Sequence, residues 1–465
     1  MTCVEQLATF VCRSVYEDLS SAAREQLKIR VLDSLGCAGG AVEGEPVRIL
    51  KRSIAASGPE DQCALIGGGS ASPQNAAFYN GALVRYLDFN DSYVAPGETC
   101  HPSDNLAPVL AAASYADRTG EELMTALAVA YQVQCRLSDV APVRDKGFDD
   151  ATLGAYSIAA GLCKILDLDE ERTANAIAIC GAALNSLRVT RTGQLSHWKG
   201  LASPHTAACC TRIVFLAKDG IGGPREVFEG DKGFMDAISG VFDIDWQRED
   251  LERVKRTILR RYNAETHAQA AIQGVLDLRK RYRFEARDVE SVKVETFEVA
   301  FKLIGGGEEG DRTSCVTTKE QADHSLPYAI AAAILDGDVM PAQYTPERIA
   351  HPGIQELLRR VRVVANPAYS QRFPEEMPCR IQVLLRDGGT LSKESRDYPG
   401  FVTQPMSWDA ACSKFHSLMQ PYAEEAERAA MIQAIAGLEN TSVRHLMRLF
   451  AGVRPARNGR DGEES

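Results

Sequence analysis

Between two apolar, small-residue segments the sequence sets Asp88, Asp91, Ser92, Glu98, His101 and Asp104 within the stretch Tyr86 to Asn105. Four carboxylates and an imidazole in so short a span are material for general acid–base catalysis, since a histidine beside a carboxylate is held in one tautomer with its pKa near working pH. Three further polar interruptions share this character. The run "NSLRVTRTGQLSHWKGLASPHTA" gathers Arg188, Arg191, His197, Lys199 and His205, and it brings Lys199 to a helix start, where main-chain N–H groups and an ammonium both favour a carboxylate. The run "LRRYNAETHAQAAI" leads Arg260, Arg261, Glu265 and His267 into an apolar helix, and "ADHSLPYAIAAA" puts Asp323, His324, Ser325 and Tyr328 on the first turns of another. Each reads singly as a cap or a solvated charge. Together they interrupt apolar helical stretches, and burying ionisable groups is costly unless they pair or serve chemistry.

Other chemistries fit less well. Asp88, Asp91 and His101 imitate a metal site, but the histidines are scattered and no H-E-x-x-H or H-x-x-x-H spacing occurs, so no metal is expected. The glycine-rich "LIGGGSASPQ" lacks the lysine of a P-loop, and no G-x-S-x-G nucleophile elbow is present. The 13 cysteines form no C-x-x-C pair and read as reduced thiols. A net charge of −11 without a long basic run excludes the footprint of a nucleic-acid binder. No apolar run reaches the roughly 18 residues that suggest a membrane span, and the first residues resemble no signal peptide, so a cytoplasmic protein is expected. What remains is cofactor-free acid–base chemistry on a small polyanion: a base removes a proton beside a carboxylate, an acid assists loss of a β-hydroxyl, and cations hold the carboxylates. His101, the aspartates, Lys199 and Arg260 could fill those roles.

The elements that must position these residues come in two kinds. From Cys3 to about Leu216 helical runs follow one another; Ser21 begins one in which Leu27, Val31 and Leu35 share a face, and further runs include "DNLAPVLAAASYAD", "GEELMTALAVAYQVQCRL" and "DATLGAYSIAAGLCKIL". This part reads as all-α. After about residue 285, "VESVKVETF", "RVRVVAN" and "CRIQVLLRDGGTLSKES" alternate with period two, Asp387-Gly388-Gly389 marks a hairpin turn, and "KEQADHSLPYAIAAAILDG" reads as one helical run. That predicts a smaller α+β domain with an antiparallel sheet. Helical pattern returns after "YPGFVTQPMSW".

The blocks "LDFNDSYVAPGETCHPSDNLAPVLAAA", "HWKGLASPHTA", "YNAETHAQAAI" and "TTKEQADHSLPYAIAAAILDGD" together resemble the MmgE/PrpD family of 2-methylcitrate dehydratases, which includes cis-aconitate decarboxylase and iminodisuccinate epimerase; the resemblance spans about residues 5 to 450. It implies a large all-α helical domain, a smaller α+β lid domain, a site in the cleft between them, and a homodimer needing no metal or other cofactor. The division expected is 1–266 for the first part of the all-α domain, 267–404 for the lid, 405–455 for the helices completing the all-α domain, and a frayed tail at 456–465. Carried over residue by residue, the resemblance implies catalytic Asp88, His101, Lys199 and Tyr328, with Ser92 and Arg260 binding substrate. In this reading His101 moves the proton, Asp88 orients it, and Ser92 and Lys199 meet substrate carboxylates. Asp91, Arg191, Glu265 and His267 complete the expected substrate-binding set. The sequence departs from the decarboxylase pattern, with Glu265 where that branch has a histidine and Arg260 where it has a lysine, and "YNAETHAQ" is nearer the dehydratase run. The implied activity is dehydration of 2-methylcitrate or a related tricarboxylate; decarboxylation or epimerisation of a related polycarboxylate is the alternative.

Overall fold

The computed structural model describes residues 1–56, 60–192, 195–307 and 316–454; the tail expected at 456–465 lies outside the described residues. The chain is mostly helical and divides into two compact units, Met1–Thr257 with the described residues from Ser407 on, and Ile258–Met406. The sequence reading placed the breaks after 266 and 404. Residues 258–264 have backbone bonds that run to the second unit's own loops: the Leu259 N–H donates to the Gly400 carbonyl, and the Asn263 N–H to that of Val339.

In the first unit the Ser21–Gly39 helix is capped by Ser20, whose hydroxyl accepts from the Ala23 N–H, one residue before the expected cap. It is amphipathic only at its start. From Ile29 to Gly39 every residue is buried, Arg30, Asp33 and Ser34 included, so the helix runs through the core. Helices Pro73–Tyr86 and Gly120–Val140 lie against it, helices Leu106–Tyr115, Ala151–Ile165, Glu170–Ala183 and Ala202–Lys218 pack on these and on one another, and Trp408–Met419 returns from the C-terminal part to lie against Ser21–Gly39. The unit is not wholly helical. Cys63–Ala64 pairs with Ser70–Ala71, and Tyr93–Ala95 with Glu98–Cys100, both antiparallel. The second pair turns the expected catalytic loop into a hairpin, closed by Gly97 at φ +79°, a left-handed conformation that glycine adopts without penalty.

The second unit holds a four-stranded sheet in the order Val361–Ala365, Val289–Thr296, Cys379–Leu385, Thr390–Ser395. Helices Gln269–Tyr282 and Leu326–Asp336 lie against it. The Asp387–Gly389 turn joins the last two strands as expected, with Gly388 at φ +88°. The sheet is mixed rather than antiparallel: Val289–Thr296 and Val361–Ala365 run parallel, because the chain between them crosses over through helices. The single helical run expected over 319–337 is two, Lys319–Ala322 and Leu326–Asp336. Asp323 closes the first, and Ser325 caps the second by accepting from the Tyr328 N–H.

Candidate active site

The Pro73–Tyr86 helix ends beside the residues that matter. Asp88, two residues on, has φ +51°, a left-handed conformation unusual for a residue with a side chain. There its carboxylate meets two cations, Lys199 Nζ at 3.1 Å and Arg85 Nη1 at 3.4 Å. All three side chains are buried. Lys199 lies in the single turn His197–Gly200, just before the Ala202–Lys218 helix, so the segment entering that helix delivers it to Asp88.

His101 follows the hairpin and opens the turn Pro102–Asn105. Its Nδ1 is 2.9 Å from the Asp91 carbonyl oxygen and 3.2 Å from Ser92 Oγ. A carbonyl only accepts, so Nδ1 carries a proton, and in the neutral ring the lone pair is then on Nε2, the tautomer a general base requires. The sequence reading gave the orienting role to Asp88. The Asp91 main chain takes it, and Asp88 serves Lys199.

The remaining acids of the stretch are braces. Asp91, expected to bind substrate, is fully buried, and its two oxygens accept from the Ser103 N–H at 3.0 Å and the Tyr131 hydroxyl at 2.8 Å. This ties both ends of the hairpin to each other and to the Gly120–Val140 helix. Glu98 accepts from the N–H groups of Thr99, Val143 and Arg144. Asp104 sits 3.3 Å from Arg85 Nε, and burial pushes its carboxyl up against the pull of that guanidinium.

Arg191, also expected at substrate, is clamped within the protein. Its Nε is 2.5 Å from Asp149 Oδ2 and its Nη2 3.1 Å from Asp150 Oδ1. Burial and the neighbouring charges of Asp149, Glu98 and Asp104 outweigh the attraction of Arg191 and push Asp150 up to about 8. Asp149 is held low, because Arg191 and the Ala151 N–H outweigh the effect of its burial. His197 and His205 are exposed.

The second unit carries its own polar cluster. Arg260 is 1% exposed and donates from Nε to Thr266 Oγ1 at 2.9 Å. Glu265 Oε1 lies 2.7 Å from His267 Nδ1, and its Oε2 accepts from the His267 N–H. Burial alone would raise Glu265, but His267, His324 and Arg260 bring it down to about 2. The His267 ring lies against Phe297 and Phe373, which stack on each other at 4.4 Å between ring centroids. Asp323, noted in the sequence without a role, pairs with His324 at 2.6 Å and Lys319 at 2.8 Å, and its carbonyl accepts from the Glu265 N–H. Tyr328, expected to be catalytic, is buried in the second unit, packs beside Tyr344, and donates its hydroxyl to the Gln343 carbonyl.

Sequence reasoning also missed Arg85, Tyr131, Asp33 and Lys414. Each sits inside a helical run, with no local signal marking it off from a solvated charge or a core aromatic.

Acid–base geometry of this kind agrees with what the chain is similar to. Its sequence is 26% identical over 414 residues to the mitochondrial 2-methylcitrate dehydratase of Yarrowia lipolytica, covering 83% of this chain and 77% of that protein. It is 26% identical over 418 residues to the 2-methylcitrate dehydratase of Escherichia coli strain K12, covering 83% of each. Cis-aconitate decarboxylase of Mus musculus is 25% identical over 407 residues, covering 82% of this chain and 79% of that protein. The MmgE/PrpD N-terminal domain matches residues 5–247 and the MmgE/PrpD C-terminal domain residues 262–440, so the chain belongs to the MmgE/PrpD family.

Proposed function

We propose that this protein is a hydro-lyase that dehydrates 2-methylcitrate, or a related tricarboxylate such as citrate, to the corresponding cis-aconitate-type alkene. The observation that carries the reading is that the first unit holds both a histidine whose Nδ1 proton is fixed by a main-chain carbonyl and a buried lysine held by an aspartate. His101 Nε2 takes the proton next to a carboxylate. The β-hydroxyl leaves with a proton, Lys199 being the donor or the group that holds the neighbouring carboxylate, and Asp88 holds that lysine in place. Hydrogen and hydroxyl depart as water, so the reaction balances without a redox partner. Ser92, beside His101, is proposed to meet a substrate carboxylate, and Arg260, Glu265 and His267 keep their proposed substrate-binding roles.

The dehydratases of Yarrowia lipolytica and Escherichia coli support this choice. The mouse decarboxylase, at similar identity, keeps decarboxylation of cis-aconitate as the second reading. Purified enzyme incubated separately with 2-methylcitrate, citrate and cis-aconitate distinguishes them. Alkene formation from 2-methylcitrate is expected. Release of CO₂ from cis-aconitate, with no alkene from 2-methylcitrate, would replace the first reading with the second.

A further inference from the structure

Helix Trp408–Met419 approaches helix Ser21–Gly39 closely because two glycines face it: a Cβ on Gly36 would stand 3.0 Å from the Phe415 ring, and one on Gly39 1.9 Å from the Met419 sulfur. This approach brings Lys414 into the interior beside Asp33, which lies three residues before Gly36 on the facing helix. The two side chains are 6% and 0% exposed, with Nζ 2.7 Å from Asp33 Oδ1. The same ammonium donates to the Phe89 carbonyl at 2.6 Å and stands 3.7 Å over the Phe89 ring. Phe89 directly follows Asp88, whose left-handed backbone costs free energy and persists only where its surroundings over-determine it. On the side-chain side, Lys199 and Arg85 hold Asp88. On the main-chain side, the carbonyl and the ring of the next residue, Phe89, are both held by Lys414.

We propose that Lys414 is a positioning residue for Asp88: with Asp33 as counter-charge, it fixes the Phe89 peptide and so the left-handed turn that presents Asp88 to Lys199. The proposal rests on the reading that Asp88 and Lys199 serve the reaction. It makes the C-terminal helix, more than 300 residues away in sequence, part of what sets the catalytic geometry.

A buried ion pair that only stabilises can be replaced by apolar side chains of similar volume with little loss of stability, and this gives the test. In the full chain, Asp33→Leu/Lys414→Met is expected to melt near the wild-type temperature. Its kcat is expected to fall by about tenfold or more with KM little changed, because the catalytic groups are misplaced. Its crystal structure should show Asp88 outside the left-handed region and separated from Lys199. A neutral pair that keeps a donor, Asp33→Asn/Lys414→Gln, should recover much of the lost kcat. Wild-type kcat and wild-type Asp88 geometry in the folded apolar variant overturn the proposal. So does a neutral pair that folds and still loses tenfold or more of the wild-type kcat, and this arm decides if the apolar pair does not fold. If the wild type turns over none of the polycarboxylates, the functional reading fails by itself, and the Asp88 geometry in the variant crystals still decides the proposal.

Discussion

A histidine nitrogen 2.9 Å from a main-chain carbonyl has little choice of tautomer, and this gives His101 its predicted weight. His101→Ala should lower kcat by about 10²- to 10⁴-fold, the usual contribution of a positioned acid–base group, with the melting temperature nearly unchanged. Steady-state kinetics beside a thermal melt checks this, and activity within a few-fold of wild type would reduce His101 to a loop residue. Lys199 needs a finer test, because its pairing with Asp88 suits either of two roles. Lys199→Ala should lower kcat/KM by about 10- to 100-fold through loss of a charge-assisted hydrogen bond alone. Lys199→Arg separates the roles: a guanidinium restores part of the anion binding, but it cannot give up its proton near neutral pH. Partial recovery of kcat/KM marks a carboxylate holder. A kcat that stays low in both variants marks a proton donor.

At the scale of elements, the single turn Thr266–Ala268 shows how a polar pair is built into a start signal. Glu265 caps it by accepting from the His267 N–H while also pairing with the His267 ring. Its carboxyl titrates at about 2 in the folded unit against an ordinary 4.5, so the unfolded chain takes up this proton at higher pH than the folded one. The stabilisation is complete above about pH 4.5 and is lost as pH falls from there toward 2; a shift of that size corresponds to at most about 3 kcal/mol. Glu265→Gln should therefore destabilise the protein at neutral pH and flatten its loss of stability over that acid window, as denaturant unfolding at a series of pH values would show. An unchanged acid slope would remove Glu265 from the account. Much of this level was legible in the sequence. The helical runs, the Asp387–Gly389 hairpin and the polar interruptions all carry local patterns, and Asp88, His101 and Lys199 stood out because charged residues break apolar stretches there. What escaped depends on partners far away in sequence. Asp91 reads as a ligand until Tyr131, 40 residues on, occupies it. The partners of Arg191 and Tyr328, the Asp149 carboxylate and the Gln343 carbonyl, are likewise not marked in the sequence around them. The parallel strand pair was hidden for the same reason, since period-two alternation reports a half-buried strand and not its neighbour's direction.

Over the whole molecule the question is how the polyanion proposed as substrate would reach a protein of net charge −11. The buried cations of the first unit's site offer no unbalanced positive field. Lys199 faces Asp88, Arg85 faces Asp88 and Asp104, Arg191 faces Asp149, and Lys414 faces Asp33. A tricarboxylate at neutral pH is thus repelled at long range and held only by short hydrogen bonds once it arrives. The Debye length is about 10 Å at 0.1 M salt, so added salt screens the repulsion while leaving buried contacts largely intact. With 2-methylcitrate as substrate, kcat/KM should rise about two- to fivefold as a non-coordinating monovalent salt is raised from about 10 to 200 mM, with kcat nearly constant. The measurement is decisive in sign. A steep fall of kcat/KM with salt would mean that an electropositive funnel draws the substrate in, and the balance of charges drawn here would then be wrong.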